Sequence, residues 1–212
     1  MRRPSLKVKS VAEGSPAEAM GIRPGDRLLE INDYPIHDLI DYRFYSAEEM
    51  IDCLFVKEGE EERICFEELN GQGLGLDFEA VRFRSCGNKC LFCFVDQNPA
   101  GMRSALYFKD EDYRLSFLYG NYVTLTRVGK KDLTRIVSQR LSPLYVSIHA
   151  TDAKVRSFLL GLERDDRLLE KLHFLSQNRI EIHGQVVLCP GFNDGLILRD
   201  TVDTLASFYP NL

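Results

Sequence analysis

Three thiols stand close together in this chain: Cys86, Cys90 and Cys93, separated by three and then two residues. Thiolates at that spacing can converge on one metal centre. A structural zinc normally takes four ligands, supplied as two close pairs, and here the second pair is absent. The next candidates, Cys189 and the four histidines, are all distant in sequence. A [4Fe–4S] cluster held by three cysteines leaves one iron open to a non-protein ligand. Plain, unligated thiols are the third reading. Cys53, Cys65 and Cys189 stand alone.

The whole chain sets limits on that chemistry. It has 212 residues, 27 Lys+Arg against 32 Asp+Glu, and a formal charge of −5. One or two globular domains fit that length. The charge gives no chain-wide basic footprint, so no nucleic-acid partner is expected. No apolar run approaches the ~20 residues of a membrane span. Met1-Arg2-Arg3-Pro4-Ser5 is basic, but no apolar segment follows it as in a signal peptide. The expectation is a cytoplasmic protein with no membrane partner, in which cysteines serve as thiols or metal ligands rather than disulfides.

The thiols follow a change of rhythm near Phe78–Arg82. Before it come short strands and turns. Leu6, Val8 and Val11 open an extended segment, and Ser15-Pro16-Ala17-Glu18 carries the cap, first-turn proline and acid of a helix start. Gly21 suits the left-handed position that ends that helix. Leu28–Ile31 reads as a strand, 36–50 as a helix, and Ile51–Val56 with Arg63–Glu68 as a hairpin around a charged loop. Asn70-Gly71-Gln72-Gly73 is a turn leading to a strand over Leu76–Ala80. After the boundary, strand and helix alternate: Val81–Arg84, Tyr122–Thr126, Leu144–His149 and Ile180–Leu188 as strands, with helices over 130–140, 153–159, 167–178 and 196–208. That alternation predicts a parallel sheet or barrel with its site at the strand C-termini.

Gly14-Ser15-Pro16-Ala17-Glu18-Ala19-Met20-Gly21-Ile22-Arg23-Pro24-Gly25-Asp26, running on to Asn32, resembles a PDZ domain. The glycine loop such a domain places ahead of this stretch lies behind it here, as Gly73-Leu74-Gly75-Leu76. That order resembles a circularly permuted PDZ domain over residues 1–80. The resemblance implies that Gly73, Leu74, Gly75 and Leu76 receive a peptide or protein C-terminus, whose backbone extends the sheet by β-augmentation.

Cys86-x3-Cys90-x2-Cys93, after the first strand of a β/α series, resembles the radical SAM superfamily. The resemblance implies that the three cysteines hold a [4Fe–4S] cluster and that the open iron chelates S-adenosylmethionine. A reductant such as ferredoxin or flavodoxin is implied as well. It also implies cofactor contacts at Phe92, at Asn121, Thr124 or Thr126, at Ser147 and His149, and at Gln185. The usual acidic motif is not matched in the 119–126 segment. With Asp112-Tyr113-Arg114-Leu115-Ser116-Phe117-Leu118-Tyr119-Gly120-Asn121, the arrangement resembles a bacterial family joining a PDZ-like domain, a radical SAM barrel and a C-terminal domain, the DUF512 family. The expected architecture is therefore α/β and multidomain: a PDZ-like domain at 1–80, then an incomplete radical SAM partial TIM barrel at 81–212, ending before its next strand. The expected activity is that of a radical SAM Fe–S oxidoreductase when full length. The rival is a peptide-binding adaptor whose iron–sulfur or zinc site is structural.

Overall fold

The computed structural model describes residues 3–67, 73–210 and 212. Glu68 at the end of the expected hairpin and Asn70–Gln72 of the expected turn lie outside the described residues. The chain divides into two compact units, Met1–Arg82 and Phe83–Leu212.

Among the described residues, the first unit is a sheet with two short helices. Its strands are β1 (Leu6–Val11), β2 (Arg27–Ile31), β3 (Tyr34–Pro35), β4 (Ile51–Lys57), β5 (Glu60–Phe66) and β6 (Leu76–Phe78). Neighbours run in the order β5-β4-β2-β1-β6, with β3 paired to β2. All pairings are antiparallel, and β4–β5 is a hairpin in register from Ile51↔Phe66 to Lys57↔Glu60. Alternation along β4 and β5, with an irregularity in β2 between Leu28 and Glu30, puts Leu28, Ile31, Cys53, Phe55, Ile64 and Phe66 in one core.

Helix α1 (Pro16–Ala19) starts as its residues dictate: Ser15 accepts the Glu18 N–H, and Glu18 reaches back to the Gly14 N–H. Gly21 follows in the left-handed conformation, φ +73°. Helix α2 is Leu39–Tyr45, shorter than the expected 36–50. Ile36 is buried ahead of it, and the Asp38 carboxylate caps the amides of Ile40 and Asp41, which fixes the start. Ser46 ends it, because 47–50 are exposed and gain nothing from a helical face.

The second unit holds α3 (Tyr113–Tyr119), α4 (Lys130–Ser138), β7 (Leu144–Ser147), α5 (Ala153–Leu160), α6 (Leu168–Gln177), β8 (Ile182–Gln185) and α7 (Gly195–Ala206). Strands β7 and β8 are parallel, from Leu144↔Ile182 to Ser147↔Gln185. Val123 adds a parallel bridge to Val146, so three segments run side by side.

Two expected strands are not formed. Tyr122–Thr126 makes only the Val123 bridge, because Leu125 turns left-handed at φ +60° and breaks the extended run. Val81–Arg84 is irregular: the Asp112 carboxylate takes the Arg84 N–H, and only Ser85 bridges to Asp110. Helix α3 was not expected. It is two turns long, capped by Asp112 and closed by Gly120 at φ +74°. Val123, Leu125, Ile136, Leu144, Val146, Ile148, Leu159, Leu160, Leu172 and Leu175 are fully buried and form this unit's core.

Candidate functional site

The cysteine loop is held by its backbone. The Cys86 N–H donates to the Lys109 carbonyl at 2.7 Å, and the amides of Lys89 and Leu91 donate to the carbonyls of Leu160 and Leu159, both at 3.0 Å. Asn88, between the first two thiols, is buried and donates from Nδ2 to Thr124 Oγ1 at 2.9 Å, while Thr126 Oγ1 donates to Asn88 Oδ1. The loop is thereby tied to the segment 124–126.

Cys86, Cys90 and Cys93 face one cavity of about 290 Å³. That is near the lower end of small-ligand sites, roughly 300–1,000 Å³. Burial raises the Cys86 thiol pKa, and burial together with the other two thiols pushes Cys90 up to about 11. Among the described residues, no three His, Cys, Asp or Glu side chains converge as a single metal ion would require.

Phe92, Ser147, His149 and Gln185 line the same cavity. Phe92 meets the His149 ring edge-on, with centroids 4.6 Å apart. His149 is buried, and its Nδ1 accepts the Val187 N–H at 3.2 Å, which leaves the ring proton on Nε2. Burial, and then the Arg156 charge, lower its pKa to about 4, so the ring is neutral at pH 7. Ser147 Oγ donates to Gln185 Oε1 at 3.4 Å, and the Gln185 carbonyl accepts the Ile148 amide at 2.8 Å.

Asn121 and Thr126 do not line the cavity. Asn121 is exposed and donates to Asp110, whose residue does line it. Thr126 stands behind the loop, occupied with Asn88. Cys53 is buried in the first unit, Cys65 is exposed, and Cys189 donates its N–H to Asn193 in the loop after β8.

The sequence reading missed an acid. Glu111 is 2% exposed, lines the cavity, and accepts from Thr124 N–H at 3.0 Å and Thr124 Oγ1 at 2.8 Å. Burial raises its pKa, against those hydrogen bonds. Lys109, also on the cavity, pairs with Asp96, and that hydrogen bond raises the lysine's pKa. The signal for both is the run Lys109-Asp110-Glu111-Asp112, of which only Asp112 falls in a motif quoted above.

In the first unit, Leu74 is buried and its carbonyl accepts the Ala17 N–H, while the Gly75 carbonyl accepts the Ala12 N–H. Gly75 has φ +76°, and a Cβ there would lie 2.3 Å from Ser15 Cβ. That glycine is required by its own domain before any ligand arrives. Strand β6 pairs only with β1 among the described residues, and Tyr42 of α2 meets Phe78 of β6 edge-on at 4.8 Å. Helix and edge strand thus lie side by side.

A family model for a radical SAM-like domain matches residues 68–212, and a PDZ domain model matches residues 7–49. Among solved structures, the PDZ domain of an SdrC-like protein from Listeria monocytogenes is similar at 18% identity and a TM-score of 0.30, covering 37% of this chain and 90% of that one. The second domain of another Listeria protein is similar at 17% identity and a TM-score of 0.31, covering 39% of this chain and 88% of that one. None of the curated proteins matches the chain.

Proposed function

Because the chain belongs to the radical SAM-like family, we propose that its second unit holds a [4Fe–4S] cluster on Cys86, Cys90 and Cys93 and S-adenosylmethionine beside it. The observation that carries this reading is the single cavity faced by all three cysteines together with Glu111, Ser147, His149 and Gln185. The donor set fits the group. A cluster takes one thiolate on each of three irons, so its cysteines need not converge on one point. When bound, the cluster supplies the electron that splits the sulfonium.

The chain's own residues divide the remaining work. Glu111, buried and with lone pairs left beyond its two bonds to Thr124, accepts from the ammonium of the amino-acid end. Neutral His149 offers its Nε2–H as a donor, and Phe92 packed on it gives the adenine an apolar wall. Ser147 and Gln185 turn from each other to the ribose or carboxylate. Asn121 and Thr126 act one layer back, holding Asp110 and Asn88.

Anaerobic reconstitution tests this. The chain takes up about four irons, and Ala at Cys86, Cys90 or Cys93 abolishes the visible absorption. Added S-adenosylmethionine perturbs the reduced cluster's paramagnetic spectrum and yields 5′-deoxyadenosine. Stoichiometric zinc without iron, or an intact cluster after those substitutions, refutes it.

For the first unit, the reading is capture of a peptide C-terminus against β6, supported by the PDZ match, the edge of β6 that pairs only with β1 among the described residues, and the flanking α2. A library of free C-terminal peptides tests it. Equal binding of amidated peptides, or no binding, refutes it.

A further inference from the structure

Helix α5 touches both halves of the site. At its end, the last carbonyls have no partner within the helix. Here two of them, Leu159 and Leu160, are taken by the amides of Leu91 and Lys89 from the cysteine loop. The helix closes through Gly161 at φ +64°, with the Leu162 N–H returning to the Ser157 carbonyl at 2.8 Å. A Cβ on Gly161 would stand 2.6 Å from the Lys89 carbonyl oxygen and 2.8 Å from Lys89 Cβ. The loop backbone therefore lies directly on the glycine.

One turn and more earlier, Arg156 on the same helix donates to the carbonyls of Thr124, Ser147 and Ile148. Ser147 ends β7, Ile148 follows it, and Thr124 follows the Val123 bridge.

We propose that Gly161 is a positioning residue: by letting the loop backbone rest on the end of α5, it sets Cys90 in register with Ser147 and His149. This rests on the cluster reading above. The three-residue gap between Cys86 and Cys90 is gripped from both sides, by Asn88 through Thr124 and Thr126, and by Lys89 through Leu160. A side chain at 161 must push Lys89 away and turn Cys90 with it.

Gly161→Ala is compared with Gly120→Ala. Gly120 has the same left-handed backbone, φ +74°, but its Cβ would meet only the Tyr145 ring, at 3.5 Å. It therefore carries the strain without the collision. Amide hydrogen exchange of the metal-free chain and iron retained after reconstitution are read in both. In wild type, the Lys89 and Leu91 amides are protected. In Gly161→Ala their exchange speeds up at least tenfold and iron retention falls by at least half, while Gly120→Ala keeps both. Unprotected amides in wild type overturn the proposal without any variant. So does retained protection or wild-type iron retention in Gly161→Ala, or an equal loss in Gly120→Ala. A wild-type chain that takes up no iron removes the cluster reading instead, and the exchange comparison still decides whether Gly161 seats the loop.

Discussion

Arg156 has five N–H donors, and all five are used. Nε and Nη2 bind the Asp166 carboxylate at 3.1 and 2.9 Å, Nη1 serves the carbonyls of Ser147 and Ile148, and Nη2 also serves Thr124. The pair is buried, with side chains 2% and 7% exposed. Arg156→Met preserves most of the apolar stem but leaves Asp166 without its partner. Removing one member of a buried pair costs about 3–5 kcal/mol. Three carbonyls each lose one donor as well, at about 1 kcal/mol apiece. The sum, roughly 6–8 kcal/mol, is comparable with the whole stability of an ordinary domain, about 5–15 kcal/mol. Urea unfolding followed by circular dichroism reads it. The double variant Arg156→Met/Asp166→Asn removes the orphaned charge and recovers about 3–5 kcal/mol, leaving the carbonyl deficit. A single variant losing less than about 2 kcal/mol, or a double variant no more stable than the single, refutes the reasoning.

Asp132 sits with Arg84 on two bonds of 2.7 and 2.8 Å; burial raises its pKa, but those bonds and the Gly129 amide outweigh burial and lower it. A depressed carboxylate stabilises the fold above its unfolded pKa, near 3.8, and loses that contribution as pH falls through the lower folded value. The stability gap between wild type and Asp132→Asn is therefore full at pH 7 and shrinks below pH 4; a gap independent of pH contradicts the pairing. The His149 ring resonances, followed by NMR in the metal-free chain, stay constant from pH 7 to 5.5, and a midpoint near 6.5 contradicts its buried, neutral state. Gly75→Ala lowers the stability of the first unit by about 1–3 kcal/mol through collision with Ser15, and unchanged thermal unfolding counts against it.

What could be read from the sequence was local. The cysteine spacing lies within eight residues, and α4 to α7 form, to within about three residues, where helices are expected over 130–140, 153–159, 167–178 and 196–208. Strand β7 lies in the apolar run Leu144–Ile148, and β8, Ile-His-Gly-Gln, lies within the strand expected over Ile180–Leu188; both end where the site lies. What could not be read depends on partners distant in sequence. Glu111 becomes a cavity acid only when Thr124 folds over it. Gly161 looks like any helix-ending glycine until Lys89 rests on it. Arg156 looks like a surface charge on an amphipathic helix until three carbonyls and Asp166 surround it. The broken strand at 122–126 turns on Leu125 adopting a left-handed backbone, which its residue type argues against.

His149 is also left-handed, φ +63°, two residues past β7 and almost fully buried. A histidine there carries backbone strain of order 1–3 kcal/mol, which glycine avoids and asparagine tolerates better. Directed evolution for heat resistance alone would draw position 149 toward those residues and away from the ring that faces Phe92. Selection on whatever the cavity binds pulls the other way. Libraries of this protein should therefore separate at position 149 according to which pressure was applied, and its identity in thermostable survivors reports whether the cavity was still in use.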